Sequence, residues 1–325
     1  MNTRLAPSLG FGSLAMCAVA MVVRQLPVTN NVSLLIAVGS PYLTIASGVL
    51  AVLLFAVSRR WVLAALAMVI AVAAVAGPLQ FYYPPGSAEE TRPYVAVRVV
   101  TANLRHGLAD AQFLIDLARA NADLISVQEL TLPEAQRLAQ TGIGAHFPYS
   151  VLLPAEGAGG AAIWSRYPIE ELDLKHPEVG MITARLRIPG VRLDPVFANV
   201  HIGAPFANPI DEWRNSMEFL GHALDELSST AAGSAVIVAG DFNATPDIEN
   251  YRRLLADGYA DAVQQSGAGF DPTFPSDRWY PPSIPIDHVL LNGATAATSH
   301  TVDVPGSDHR AVVLTVRVPK DPTAS

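Results

Sequence analysis

The segment VAGDFNATP, Val238 to Pro246, carries a carboxylate and a carboxamide two residues apart, Asp241 and Asn243, just past the apolar run AVIV. If that run is a buried strand, Gly240 opens its C-terminal end. Both polar side chains then project on one side, because strand side chains alternate with a period of two. Such a pair can hold a water and a phosphate oxygen side by side, as hydrolysis of a phosphate ester requires. Taken alone, GD-x-N reads more simply as a strand running into an Asx-type turn. Its surroundings decide between the two.

From Tyr94 onward, strand-like and helix-like segments alternate. VAVRVVTANLR reads as a strand whose alternation stops at Asn103, and a helix follows at about Ala109–Asn121. DLISVQEL is a short buried strand ending in Gln128-Glu129. AAIWSRYPI, VFANVHIG, AVIVAGDFN, IDHVLLNG and RAVVLTVRV are further strands, several of them closed by a polar side chain. Core strands with polar mouths, repeated in this way, imply one shared rim.

The ordered set TANLR, SVQEL, IWSRYPI, NVHIG, GDFNATP, IDHVLLN and SDHRAV resembles the endonuclease/exonuclease/phosphatase superfamily, over about Val95–Val318. Each motif is weak alone; seven in order are specific. The resemblance implies a four-layer α/β sandwich of two packed mixed sheets flanked by helices. It implies a Mg²⁺ (or Mn²⁺) site on Glu129, a hard carboxylate for a hard cation, with Asn103 anchoring the metal site or a phosphate oxygen. Asp308 resembles a second, often water-mediated, metal contact. Asp241 is expected to orient and deprotonate the attacking water, and Asn243 to hold the phosphoryl oxygen. His201 and His309 are expected to stabilise transition-state charge and protonate the leaving oxygen. Asp287 resembles the carboxylate that fixes the His309 tautomer and keeps that ring cationic. His288, one residue on, points to the opposite face of a strand and reads as structural. His106, His146, His176, His222 and His300 match no motif. No HExxH or clustered Cys/His spacing supports a zinc site. GAGGAA (Gly157 to Ala162) lacks the Lys-Ser/Thr ending of a P-loop and reads as a turn before a strand.

The first 80 residues are of another kind. Arg4, Arg24, Arg59 and Arg60 are their only charges, whereas all 29 acidic residues lie from Glu89 onward. Three apolar stretches, about Leu9–Val23, Val32–Val57 and Trp61–Leu79, predict three transmembrane helices over residues 1–80. The first is the shortest and reaches spanning length only by extending back to Leu5, and Pro41 should kink the second. Cys17, the sole cysteine, excludes an intrachain disulfide and reads as a helix-packing residue. The basic SRR loop, Ser58 to Arg60, places that junction in the cytoplasm and the residues after span three outside the cell, with Arg24 the one charge against this orientation. Residues 81–93, rich in proline, read as a short stiff linker and residues 94–325 as the catalytic domain.

Residues 81–325 keep 17 of the 21 basic groups against 29 acidic ones, a net of −12. That field opposes extended nucleic-acid binding, which draws its affinity from phosphate contacts. Two loops should shape the pocket, Ile202–Arg214 and Ser266–Pro285. The second, with Phe270, Phe274, Trp279 and Tyr280 among five prolines, reads either as a braced surface loop with inward aromatics or as a lip resting on lipid headgroups. Tethering concentrates the enzyme on lipid substrates. The anchor-plus-domain layout also resembles actinobacterial membrane proteins associated with glycopeptide-antibiotic resistance, which implies an undecaprenyl pyrophosphate-type substrate. The partners expected are therefore the bilayer and a membrane lipid or lipid phosphate. An extracellular endonuclease or phosphodiesterase and a sphingomyelinase-like phospholipase are the alternatives.

Overall fold

A computed structural model describes residues 5–84 and 92–323. Arg4 and most of the expected linker lie outside the described residues. By its internal contacts the chain divides into two units, Met1–Pro85 with Thr245–Arg252, and Gly86–Ala244 with Arg253–Ser325.

The first unit holds helices α1 (Ala6–Arg24), α2 (Asn31–Val38), α3 (Ser40–Val57) and α4 (Trp61–Tyr82). Of these α1, α3 and α4 are long and apolar enough to cross a membrane. The shortest stretch of the sequence thus gains a full 19-residue helix by running back to Ala6. The apolar stretch Val32–Val57 is divided rather than kinked. Asn30 and Ser33 form a capping box that starts α2, and Gly39 ends it. Pro41 falls in the first turn of α3, where its missing N–H leaves no intrahelical bond unmade. Small residues let these helices approach closely: a β-carbon on Gly10 would meet the Phe55 ring and one on Gly48 would meet the Ala71 methyl. Cys17 is buried and its thiol lies 3.9 Å from the Thr44 carbonyl, which fits a packing role.

Eight later residues, Thr245–Arg252, pack with this unit although they follow directly on the GDFNA segment. Arg24 Nε bonds Asp247 Oδ1 at 2.9 Å, Val28 N donates to Asn250 Oδ1 at 2.9 Å, and Arg252 Nη2 donates to the Arg24 carbonyl at 2.6 Å. The sequence offered no sign of this, because each partner lies more than two hundred positions from the other. The basic residue that contradicted the expected orientation has a structural task as the partner of Asp247.

The second unit contains β1 (Tyr94–Asn103), α5 (Ala111–Asn121), β2 (Leu124–Gln128), α6 (Leu132–Gln140), α7 (Ile143–His146), β3 (Tyr149–Leu153), β4 (Ala161–Ser165), β5 (Ile169–His176), β6 (Met181–Leu186), β7 (Val196–His201), α8 (Ile210–Ala231) and β8 (Val236–Asp241). After α9 (Glu249–Arg253) it continues through β9 (Ala260–Asp261), α10 (Ala262–Ser266), β10 (Asp287–Asn292), β11 (Thr295–Asp303) and β12 (Arg310–Pro319). The strands form two mixed sheets of six, ordered β11-β12-β1-β2-β4-β3 and β5-β6-β7-β8-β10-β9. Val97, Val99, Leu124 and Ile163 of one sheet meet Phe197, Ile237, Ala239 and Val289 of the other. On its outer face the first sheet packs Val100, Ile125 and Val127 against Leu114, Ile115 and Ala118 of α5 and Leu138 of α6. The inward stripe Trp213, Met217, Leu220, Leu224 and Leu227 of α8 is buried. The expected α/β sandwich is what forms.

The parallel pairs β1/β2 and β7/β8 are joined by crossovers, and their C-terminal ends carry the polar residues. Across the second sheet His201 pairs with Asp241, and Asp241 with Asp287, so three side chains stand in one row. In the first sheet Asn103 pairs with Gln128. Gly240 sits inside β8 rather than opening its end. A β-carbon there would lie 1.9 Å from the Val200 carbonyl oxygen, so only glycine permits this strand spacing.

Candidate active site

Asp241, at the last position of β8, is 1 % exposed and is the hub of the cluster. Its Oδ2 accepts from Asn103 Nδ2 at 3.0 Å and lies 3.7 Å from His201 Nε2 and 3.8 Å from His309 Nε2. Glu129 Oε1 approaches the same amide at 3.1 Å and the same His201 nitrogen at 3.7 Å. Two carboxylates thus converge on one small volume, where a shared dication is the natural counter-charge. Among the described residues, Asp241, Asp287 and His309 also have ligand atoms within 4.8 Å of one another. The His309–Asp287 contact is a hydrogen bond, Nδ1 to Oδ2 at 2.9 Å, so this second trio is better suited to holding a proton than a metal. Hard carboxylate oxygens favour the Glu129–Asp241 side for a divalent ion, while Asn103 anchors both carboxylates through its amide N–H and its Oδ1 accepts from Arg105 N at 2.8 Å.

Burial and the neighbouring Asp287 charge push the Asp241 carboxyl up to about 6, against the pull of His309 and His201. Burial disfavours the His309 cation, yet the charges of Asp287 and Asp241 overcome it and push its pKa up to about 10. Near neutrality the pair is therefore an imidazolium facing a carboxylate ready to take a proton. Asp287 Oδ1 is buried and has no hydrogen-bond partner, an open acceptor inside the cluster.

Asn243 reaches the site by another route than strand alternation. β8 stops at Asp241, and Asn243 has φ +44°, a left-handed conformation that Asn tolerates better than most residues. Its N–H donates to Asp241 Oδ1 at 2.8 Å, and its amide donates to the Ile202 carbonyl at 2.8 Å and to Asp241 Oδ2 at 3.3 Å. The Asx turn and the reactive arrangement are one geometry. Trp213 Nε1 donates to the Asn243 carbonyl at 3.1 Å and braces the turn from α8.

His201 Nδ1 lies 3.0 Å from the Ala158 carbonyl and must donate to it, leaving Nε2 turned toward the carboxylates. GAGGAA is thus a turn, as its sequence indicates, with the added task of fixing the tautomer of His201. A β-carbon on Gly160 would meet the Leu130 carbonyl at 1.9 Å, so glycine is required for this loop to close on the segment after β2 that bears Glu129. Asp308 lies against Arg105, Nε to Oδ2 at 3.7 Å, and Arg105 also grips Asp277 at 2.9 Å.

Several contributors carried no motif signal. His106 places its backbone N–H 2.8 Å and its Nδ1 3.1 Å from Glu129 Oε2. Arg105, His106 and Glu129 all have positive φ, and such backbone strain gathers at functional sites. Dihedrals of this kind leave no mark on residue types. Beneath the site, Gln128 Nε2 donates to Asn199 Oδ1 at 3.1 Å and bridges the two sheets, while Asn199 donates to the Val127 carbonyl at 2.7 Å. Both lie inside SVQEL and NVHIG, so their positions were visible although their task was not.

His288 is buried and turned away from the cluster, as expected. Its Nδ1 lies 2.8 Å from Asp261 Oδ2, and its Nε2 lies 3.0 Å from the Ala244 carbonyl and 3.2 Å from the Pro285 carbonyl. Carbonyls only accept, and Asp261 is held as a carboxylate by two backbone donors. Both ring nitrogens therefore carry protons, and the resulting cation joins the GDFNA turn to the loop before Asp287. Phe274 of that loop packs on the His309 ring, centroids 4.9 Å apart, whereas Trp279 is 95 % exposed. Phe274 thus packs inward and braces the site, whereas Trp279 projects from the surface.

The family model described as endonuclease/exonuclease/phosphatase matches residues 100–309. No curated protein matches significantly. Among solved structures, an endonuclease/exonuclease/phosphatase family protein from Bacteroides thetaiotaomicron is 16 % identical with a TM-score of 0.54, covering 70 % of this chain and 96 % of that one. A mannosyl-6-phosphatase from the same organism is 16 % identical with a TM-score of 0.53, covering 68 % and 99 %. A 3′ phosphatase from Neisseria bound to a product DNA hairpin is 18 % identical with a TM-score of 0.53, covering 67 % and 98 %. The cluster at the ends of β1, β2, β7 and β8 thus sits on a fold shared with phosphatases, and the chain belongs to the endonuclease/exonuclease/phosphatase family, whose members are divalent-metal-dependent hydrolases of phosphate esters.

Proposed function

We propose that this protein is a membrane-tethered phosphoesterase that hydrolyses a phosphate or pyrophosphate ester of a lipid at the outer membrane face, with undecaprenyl pyrophosphate the leading substrate. The observation that carries the reaction is the Asp241 carboxylate, raised to about 6, set between two imidazoles and opposite Glu129. The lipid substrate is favoured by three apolar helices in the same chain and by the acidic balance of residues 81–325. The SRR loop and the positive-inside rule support the outer face.

Asp241 takes a proton from the attacking water, and the water oxygen forms the new bond to phosphorus as the bond to the leaving oxygen breaks. Asn243 positions the water or a phosphoryl oxygen. His309, kept protonated by Asp287, faces the developing negative charge and supplies a proton to the leaving oxygen. His201, fixed by Ala158, offers Nε2 to a second oxygen. Glu129 would hold Mg²⁺ or Mn²⁺, with Asn103 orienting its carboxylate through the Nδ2 bond and Asp308 as a further carboxylate that could act through water. The ion would neutralise phosphate charge and polarise the phosphoryl group.

Purified full-length protein given Mg²⁺ and undecaprenyl pyrophosphate should release inorganic phosphate. No release between pH 5 and 9, with plasmid DNA or sphingomyelin cleaved instead, would replace this reading with the nuclease or phospholipase alternative.

A further inference from the structure

The helical unit contains a cavity of about 390 Å³ between the last turn of α1, the first turn of α3 and the last turns of α4. Met21, Val22, Leu26, Ala74 and Gly77 make its wall largely apolar. These three turns lie at one end of the helices, as consecutive spans alternate in direction. The volume falls within the range of small-molecule sites and is more than twice that of a roughly 150 Å³ cavity able to hold benzene.

Two polar features mark the cavity as more than a packing fault. Arg24 lines it, and although Nε bonds Asp247, that is one of five guanidinium N–H donors. A β-carbon on Gly77 would lie 4.0 Å from Arg24 Nη1 and meet nothing nearer, so this part of the guanidinium faces the cavity wall. Ser40, also in the lining, is fully buried and its hydroxyl has no hydrogen-bond partner. A buried hydroxyl without a partner is an unmet demand for a polar ligand atom.

At the terminal turns of membrane spans, an apolar wall between helices matches the acyl chains of the surrounding lipid. A guanidinium at the same end selects phosphate oxygens, which it matches in charge and in fork geometry. We propose that this cavity binds one phosphate-headed lipid, its chain between α1, α3 and α4 and its headgroup oxygens on Arg24 and Ser40. The proposal rests on α1, α3 and α4 being membrane spans and does not depend on which ester the catalytic cluster hydrolyses.

The test uses full-length protein in detergent with tritiated farnesyl phosphate as the probe, and farnesol and inorganic phosphate as controls. Farnesyl phosphate should bind at least about tenfold more tightly than either control. Gly77→Leu places a side chain in the open space of the cavity, and it raises helix propensity, so folding should persist. This variant should weaken probe binding by about tenfold or more with its melting temperature unchanged. The neutral pair Arg24→Met/Asp247→Asn should lose the preference for farnesyl phosphate over farnesol. Equal binding by wild type and Gly77→Leu, or equal binding of farnesyl phosphate and farnesol by wild type, overturns the site. Phosphate released from the bound probe identifies a substrate, and an intact probe identifies a resident lipid; both support the site. Binding without hydrolysis of any lipid phosphate would refute the proposed function and leave this inference standing.

Discussion

Asp241 and His309 share one buried volume and have opposite requirements. The proposed reaction needs Asp241 ionised and His309 protonated. Activity should therefore rise as pH climbs through about 6, where Asp241 loses its proton, and fall as pH approaches about 10, where His309 loses its own. A plot of log kcat/KM against pH tests both limbs. Asp287→Asn removes the main charge favouring the imidazolium, so the alkaline limb should move to lower pH, and the acidic limb should move lower too, because the same charge raises the Asp241 carboxyl. Asp241→Asn keeps the shape of the turn and removes the base. Turnover should fall by about 10²–10⁴-fold with a cooperative melt retained, as measured by phosphate release and circular dichroism. The residues of this cluster were legible in the sequence because GDFN, NVH, IDH and SDH are short, local words. His106, Ala158 and Trp213 were not, since each acts through a backbone atom or a bond that no residue type announces.

At the scale of elements, the spacing between β7 and β8 depends on one hydrogen atom. Gly240→Ala would drive a methyl group into the Val200 carbonyl, separate the strands and displace both His201 and Asp241. A loss of about 3 kcal/mol in denaturant unfolding is expected, with activity falling further than stability alone explains. The turn that follows is held in a different way. Arg24 and Asp247 have side chains 12 % and 6 % exposed, so Arg24→Met would strand a buried carboxylate. Thermal unfolding in detergent should show a loss of about 3–5 kcal/mol, largely recovered by adding Asp247→Asn. Strand positions were readable from alternating apolar residues, and seven of the twelve strands among the described residues lie largely within segments the sequence marked. Of the unmarked β3, β5, β6, β9 and β11, β3 is exposed at four of five positions and β9 has only two residues.

At the scale of the whole molecule, the apolar helices and the acidic catalytic unit impose different limits on substrates. Dialysis against EDTA should abolish phosphate release, and Mg²⁺ or Mn²⁺ should restore it, because Glu129 and Asp241 converge their carboxylate oxygens on one point. Plasmid nicking should remain weak even at low salt, where a basic surface would have the greatest advantage. A lipid phosphate presented in vesicles should be hydrolysed faster than a short-chain analogue at equal bulk concentration, because the tether raises the local concentration of the former alone.

The sequence by itself determined the family, the sandwich, the three apolar helices and the identity of the clustered polar side chains, because these are written in local words and in hydrophobic period. Only the tertiary structure decided how they work together. It brought Asn103, Glu129, His201, Asp241, Asp287 and His309 to one point from six separate segments. It turned Asn243 inward through a left-handed turn and raised the Asp241 pKa by burial. It also packed Thr245–Arg252 with helices far away in the chain. Distances between remote residues and the dielectric around a charge are properties of packing, and they do not exist until the chain has closed on itself.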